Sequence, residues 1–174
     1  MMNSVIITHS LRFIFLVFLQ VLVFRQMTVG WDNFNYVHVF VYPLFIMLLP
    51  IRTPDTLLIF LGFLIGIAVD VFYYSPGVHS GAMVFMAYLR PKVLKFLTPR
   101  GGYNINHSPN LEKHGFTWFL IYSGLLLFFH ILFYFILIVF THVNWVEIAL
   151  RTISSFIISY IILLLYVRIF NPRE

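Results

Sequence analysis

Long apolar runs separated by short polar stretches cover most of this chain. Six runs stand out, at about 4–24, 36–50, 56–73, 80–97, 116–141 and 145–170. A helix needs about 20 residues to cross about 30 Å of hydrocarbon, so most of these runs suffice for one crossing, although the second is short. The runs are continuous rather than alternating, which favours helices over strands. The pattern predicts an all-α integral membrane protein, a single domain of six transmembrane helices.

The two clearest predicted helices are the last two. Residues 114–146 contain no Asp, Glu, Lys or Arg, and this run is too long for one straight crossing. The stretch THVNW at 141–145 therefore predicts a turn between two helices. The first run is followed by no small-residue cleavage site, so we expect a retained helix rather than a signal peptide.

Composition supports a membrane protein and excludes several other classes. Hydrophobic residues make up 61% of the chain and charged residues 10%, against about 25% charged in soluble domains. This excludes an ordinary soluble domain and also a disordered chain, which needs low hydrophobicity. The basic residues are too few and too scattered for nucleic-acid binding. The chain has no cysteine, which excludes disulfides, zinc–cysteine sites and thiol nucleophiles.

The basic residues predict the orientation. With six helices and a cytoplasmic N-terminus, nine Lys and Arg residues fall on the inside and two, Arg25 and Arg151, on the outside. Cytoplasmic segments carry the excess of Lys and Arg, so we expect both termini in the cytoplasm. The loop at about 98–115, TPRGGYNINHSPNLEKHG, then lies at the cytoplasmic headgroups. It is either a solvated loop or a docking surface for anionic lipid or a cytoplasmic partner.

Asp70 is the most unusual residue, since it lies in the otherwise apolar stretch LLIFLGFLIGIAVDVFYY. A carboxylate inside a membrane is costly and normally faces the bundle interior or water. One interpretation is an ion, proton or substrate site. The other, which we favour, is a carboxylate that caps backbone amides of the following SPGVHSG turn. His79 follows that turn, and we expect it to pair with Asp70.

Gly62, Gly66 and Asp70 are spaced four residues apart and share one helix face. Glycines at this spacing allow a second helix to approach closely, so this face predicts an inward contact with a neighbouring helix. Ser75, Pro76 and Gly77 then predict a tight turn.

Further along, Pro91 predicts that the fourth helix ends or kinks near Arg90. The basic sequence RPKVLK that follows is typical either of a charged helix end or of an interfacial amphipathic helix.

No pattern in the sequence predicts catalysis, a cofactor or a metal site. The seven histidines form no recognisable metal pair, and no nucleophile–base arrangement or phosphate loop is present. His130, in the middle of the fifth run, predicts a hydrogen bond to another helix rather than a proton relay, because no acid lies near it in sequence. We therefore expect a protein that is not an enzyme.

Taken together, Gly62-x-x-x-Gly66-x-x-x-Asp70, then Ser75-Pro76-Gly77-x-His79, then AMVFMAYLRPKVLKFLTPRGGY resemble the rod-shape-determining protein MreD family, in the form associated with Bacteroidetes-type bacteria. The resemblance covers about residues 36–103, and the remaining helices match in character only. The chain departs from many relatives in its basic RPKVLK extension into a long loop.

The resemblance implies an inner-membrane component of the cell-elongation machinery. Its partners would be the periplasmic scaffold MreC and, indirectly, the actin-like MreB, the glycosyltransferase RodA and its transpeptidase. The implied fold is similar to the six-helix substrate-binding subunits of energy-coupling-factor transporters, so a vitamin-like small-molecule subunit is the alternative. Such subunits present an Ala-x-x-x-Ala face on their first helix, whereas here that helix reads RFIFLVFLQVLVF. The motif residues with an implied packing, loop-shaping or partner role are Gly62, Gly66, Asp70, Pro76, Gly77, His79 and Arg90.

Overall fold

The computed structural model describes residues 2–27, 29–31, 34–104, 107–139 and 144–170. The fold is predominantly helical, with one short antiparallel hairpin. In chain order the elements are α1 (Met2–Leu22), a 3₁₀ turn (Phe24–Gln26), β1 (Val29–Trp31), β2 (Phe34–Val37), α2 (Leu44–Met47), α3 (Asp55–Tyr73), α4 (Val78–Phe96), α5 (Leu111–His114), α6 (Phe116–Ile138) and α7 (Trp145–Phe170).

Four helical stretches are long and apolar enough to cross a membrane: Ile7–Gln26, Asp55–Tyr73, Phe116–Ile138 and Trp145–Phe170. They match the first, third, fifth and sixth predicted spans closely. The predicted fourth span is α4, which has the expected position but carries Arg90, Lys92 and Lys95 in its last turns. The turn predicted at 141–145 falls largely outside the described residues.

The helices α3, α4, α6 and α7 alternate in direction, and α1 runs parallel to α3, because Gln20 near the end of α1 bonds to Tyr73 at the end of α3. Asp70 of α3 meets Ser80 near the start of α4, Arg90 of α4 meets Tyr122 near the start of α6, and Tyr160 of α7 bonds to Leu120 of α6. One end of the bundle therefore holds the starts of α1, α3 and α6 and the ends of α4 and α7. Of the ten described Lys and Arg residues, eight lie at this end, which we call the basic end, and only Arg25 and Arg151 lie at the other.

The prediction of a helical second span at 36–50 is wrong. After β2 the chain has no regular secondary structure until the one-turn helix α2, and it runs through the middle of the bundle. We call residues 38–50 the central segment. Every residue from 39 to 49 is buried. Non-helical backbone is tolerated at membrane depth only where protein surrounds it and satisfies its polar groups, and a hydropathy pattern does not reveal such partners.

Of the two alternatives predicted for Pro91, an end of the fourth helix near Arg90 is wrong, because α4 continues through Pro91 to Phe96; a kink there stays a prediction. The basic sequence RPKVLK, residues 90–95, thus lies in the last part of α4. Phe96 is 81% exposed there and Leu94 is buried, so this end of the helix has one face on the bundle and one face outside it.

Candidate functional site

Asp70 accepts six hydrogen bonds and lies almost wholly inside the protein. Its carboxylate receives the backbone N–H groups of Gly77 (3.2 Å), His79 (2.9 Å) and Ser80 (3.0 Å). It also contacts the hydroxyls of Ser75 (3.1 Å) and Ser80 (2.8 Å) and Nδ1 of His79 (3.0 Å). We call these five residues the Asp70 cluster. The capping interpretation of Asp70 and its pairing with His79 are both confirmed.

The local sequence explains why α4 takes its cap from another helix. Gly77 stands at the N-cap position with φ +89° and has no side chain to offer. The first N–H groups of a helix have no partner within it, and they form the positive end of the helix dipole. The Asp70 carboxylate supplies both the acceptor and the negative charge. The Asp70 carbonyl also accepts the N–H of Tyr74, which closes α3 in a left-handed conformation.

The glycines of α3 bring α4 close enough for this cap. A Cβ added at Gly66 would lie 2.2 Å from the Ser80 Cα, and one at Gly62 would lie 3.1 Å from the Met83 carbonyl oxygen. The predicted inward contact of this glycine face is therefore confirmed, and the neighbouring helix is α4. The same stripe of α3 that the sequence singled out is fully occupied by the chain's own next helix.

His79 connects the Asp70 cluster to the aromatic interior. Its ring is fully buried and its centroid lies 4.7 Å from that of Tyr73 and 4.9 Å from that of Tyr134. Nδ1 faces Asp70 and Ser75, whereas Nε2 has no hydrogen-bond partner within the described part of the chain. His130, as expected for a mid-span polar residue, does bond to another element, through Nε2 to the Tyr42 hydroxyl (3.0 Å).

Three polar side chains hold the first half of the central segment. Gln20 of α1 donates to the Val39 carbonyl (2.8 Å) and accepts the Val41 N–H (2.9 Å). From the other side, Ser155 and Ser159 of α7 accept the N–H groups of His38 (3.0 Å) and Phe40 (2.9 Å). These contacts replace the hydrogen bonds that a helix would have formed within itself.

Arg90 holds the second half of the central segment. The fully buried guanidinium donates to the carbonyl oxygens of Leu49 and Pro50 and, through Nε, to the Tyr122 hydroxyl (3.0 Å). Tyr122 in turn donates to the Met47 carbonyl (3.0 Å). Backbone carbonyl oxygens are hydrogen-bond acceptors with partial negative charge, which suits a cation. Arg90 is therefore an interior anchor rather than a surface charge.

The structure brings most of the predicted motif residues together and separates one. Gly66, Asp70, Gly77 and His79 meet at the α3–α4 turn, with Gly62 one turn along the same contact, while Arg90 lies at the far end of α4. Pro76 is exposed in the turn. Sequence reasoning missed Gln20, Ser155 and Ser159. A lone amide in an apolar helix, and two serines four residues apart in another, were the signals that could have found them.

The described residues contain no group of three His, Cys, Asp or Glu side chains that could hold a metal ion. The absence of a cofactor and of enzymatic activity stays a prediction.

The loop at the basic end packs against the helices beside it. Tyr103 donates to the Leu94 carbonyl (2.9 Å), Trp118 donates to the Leu97 carbonyl (2.9 Å), and the His114 ring stacks on Trp118 at 4.4 Å. Burial lowers the pKa of His114. The part of this loop that the structure describes is thus partly folded onto α4 and α6.

Comparison with protein-family models, with curated proteins and with solved structures finds no match to this chain.

Proposed function

We propose that this protein is a non-enzymatic component of the bacterial inner membrane that maintains cell shape by binding the MreC scaffold. It then supports peptidoglycan synthesis within the cell-elongation complex, with MreB, RodA and the transpeptidase as indirect partners. The proposal starts from the sequence resemblance to the MreD family over residues 36–103. The four long apolar helices support the membrane location.

In this proposal the basic end faces the cytoplasm, as the excess of Lys and Arg favours. Both termini are then cytoplasmic. The chain crosses six times, with the central segment making the second crossing in place of a helix. The path of the central segment supports a crossing, because its two ends lie toward opposite ends of the bundle. Val39 lies beside Gln20 near the end of α1, whereas Leu49 lies beside Arg90 in the second half of α4.

The observation that favours a scaffold over a small-molecule subunit is the filled interior. The central segment occupies the middle of the bundle, and Tyr42, Leu44, Ile46, Met47 and Leu48 are each 0% exposed. A binding subunit needs a concave pocket with a few polar groups turned toward the ligand. Here Gln20, Ser159 and Arg90 turn toward the protein's own backbone.

The surface offered to a partner helix is an aliphatic ridge on α7, formed by Ile153, Ile157, Ile161 and Leu165. These side chains are spaced four residues apart and are 51–54% exposed. Rows at this spacing form the ridges that pack into the grooves of a second helix. We propose that the membrane-spanning helix of MreC packs along this ridge.

The decisive experiment is mild solubilisation of the tagged protein from its native membrane, followed by identification of what co-purifies. We expect MreC. Recovery of a vitamin and an ATPase pair, without MreC, would instead establish the transporter alternative.

A photo-crosslinking residue at Ile157 tests the surface. We expect a crosslink to MreC from this position and none from Phe63 on α3, which has similar exposure (45%). Equal crosslinking from both positions would refute the α7 ridge without refuting the complex.

Single cysteines test the orientation, because the chain has none of its own. We expect Lys113→Cys in the basic-end loop to be protected from a membrane-impermeant maleimide in spheroplasts, and Met27→Cys at the opposite end to react. The reverse pattern would overturn the cytoplasmic placement of the termini.

A further inference from the structure

A groove of about 890 Å³ runs between α1 and α7 on the outside of the bundle. Its floor is Leu48 of the central segment, and the other lining residues belong to the two helices. The lining residues are Thr8, Leu11, Arg12, Ile14, Phe15, Phe18, Leu48, Tyr166, Ile169 and Phe170. Several of the apolar ones are well exposed, among them Leu11 at 62% and Phe18 at 57%.

The groove has the length of one membrane leaflet. On α1 it extends from Thr8 to Phe18, which at 1.5 Å per residue is about 15 Å. The hydrocarbon core of a bilayer is about 30 Å thick, so each leaflet contributes about half of that. On α7 the groove reaches Phe170, the last residue of the helix. It therefore belongs to the leaflet at the basic end.

The polar groups of this groove suit an anionic headgroup. Among the described residues that line it, Arg12 is the only charged one, and Thr8 and Tyr166 carry hydroxyls. Arg12 Nη1 lies 3.5 Å from the Leu48 carbonyl oxygen and 3.5 Å from Nδ1 of His9, both at the long limit of a hydrogen bond. A guanidinium has five N–H donors whose planar arrangement matches a phosphate.

A second external groove provides an internal contrast. It lies between α1 and α3, nearer the opposite end, and has a volume of about 160 Å³. All of its lining side chains are apolar, among them Val17, Val21 and Phe72. A groove that merely accommodates lipid chains is expected to look like this one. The α1–α7 groove differs by placing a cation and two hydroxyls along an apolar wall of leaflet length. A groove of about 590 Å³ at the basic end of α3 also has a cation, Arg52, but its lining on α1 is shorter, from His9 to Ile14.

We propose that the α1–α7 groove binds an anionic phospholipid of the leaflet at the basic end. Its phosphate is held by Arg12 and the neighbouring hydroxyls, and its acyl chain lies along Phe15 and Phe18. This inference goes beyond the proposed partner function, since it requires neither MreC nor any other protein. The lipid would lie between α1 and α7.

The test uses the full chain, reconstituted in phosphatidylcholine vesicles and carrying one fluorophore on Phe15→Cys. Brominated phosphatidylglycerol, an anionic lipid, is then compared with brominated phosphatidylcholine as a quencher. We expect the anionic lipid to reach half-maximal quenching at about fivefold lower mole fraction, the ratio that corresponds to about 1 kcal/mol for one basic residue facing an anionic lipid. The matched control is Phe63→Cys on α3, which has nearly the same exposure (45% against 43%) and should not distinguish the lipids.

Arg12→Gln should abolish the preference at Phe15→Cys, whereas Lys113→Gln, which removes a charge from the loop, should preserve it. Equal quenching by both lipids at Phe15→Cys would overturn the proposal, as would a preference that survives Arg12→Gln. If Arg12→Gln fails to fold, the comparison of Phe15→Cys with Phe63→Cys in the Arg12 protein decides alone.

Discussion

Asp70 and Arg90 are both buried charges. Asp70 of α3 lies against the start of α4, and Arg90 lies in the second half of α4. The two side chains interact with the backbone in opposite ways. Asp70 accepts N–H groups at the start of α4, and all of its partners lie within ten residues of it. Arg90 donates to carbonyl groups about 40 residues away in the central segment. The first charge closes a local turn, whereas the second joins distant parts of the chain. The hydrogen-bond partners of a buried carboxylate can therefore be predicted from the sequence when they lie close to it along the chain. The partners of a buried cation cannot be predicted when they lie far from it.

The most severe way to break the Asp70 end is Gly66→Leu. The new side chain would meet the Ser80 backbone, which cannot move without displacing the start of α4. We expect a loss of more than about 3 kcal/mol in the free energy of unfolding, measured by denaturant unfolding in mixed micelles. Gly81→Ala is the control, because its Cβ would meet only the flexible end of Leu137. Equal stability of the two variants would contradict the close α3–α4 contact.

The Arg90 end is tested by Arg90→Met, which keeps much of the volume and removes the donors. The carbonyls of Leu49 and Pro50 would then be buried without this partner. We expect a loss of about 2–3 kcal/mol and faster amide hydrogen exchange in residues 44–50. Arg100→Met, in the exposed loop, should change stability by less than about 0.5 kcal/mol. Unchanged exchange in the central segment would show that Arg90 is not its anchor.

Asp70→Asn should be somewhat milder, because the amide keeps one acceptor oxygen and the shape of the side chain. We expect a loss of about 2 kcal/mol, the scale of hydrogen bonds to a charged group, with faster exchange confined to residues 77–80. Asp55→Asn, at an exposed position in the first turn of α3, is the control. If the variant is stable yet co-purifies less MreC, Asp70 has a partner role beyond the cap.

The smallest effect is expected at the α7 side of the central segment. Ser159→Ala removes the acceptor for the Phe40 N–H, and we expect a loss of about 1 kcal/mol. Ser154→Ala is a matched control, since the Ser154 hydroxyl donates to the Leu150 carbonyl of its own helix. Thermal unfolding of the two variants side by side measures the difference in their stability. A larger effect from Ser154→Ala would argue against a role of Ser159 in holding the central segment.

Much of the helical layout could be predicted from the sequence, because continuous apolar runs have one physical explanation when they are about 20 residues long. Five of the six predicted spans correspond to long helices. The Asp70 cap was predictable for a similar reason, since its partners follow within ten residues. The second span was not predictable. Its run of Val, Phe, Tyr and Leu fits a buried extended segment as well as a helix, and only the positions of Gln20, Ser155 and Arg90 distinguish the two.

By itself, the sequence determined the membrane class, the places where five long helices begin and end, and the concentration of basic residues that one end of the bundle shares. These features follow from local hydrophobicity, helix length and charge, which do not depend on which helices pack against each other. Only the tertiary structure decided that the middle of the bundle is filled by a largely non-helical segment, that Arg90 points inward, and that the glycine stripe of α3 contacts α4. Each of these depends on which distant side chain satisfies a buried backbone group, and that partner is fixed only when the helices pack.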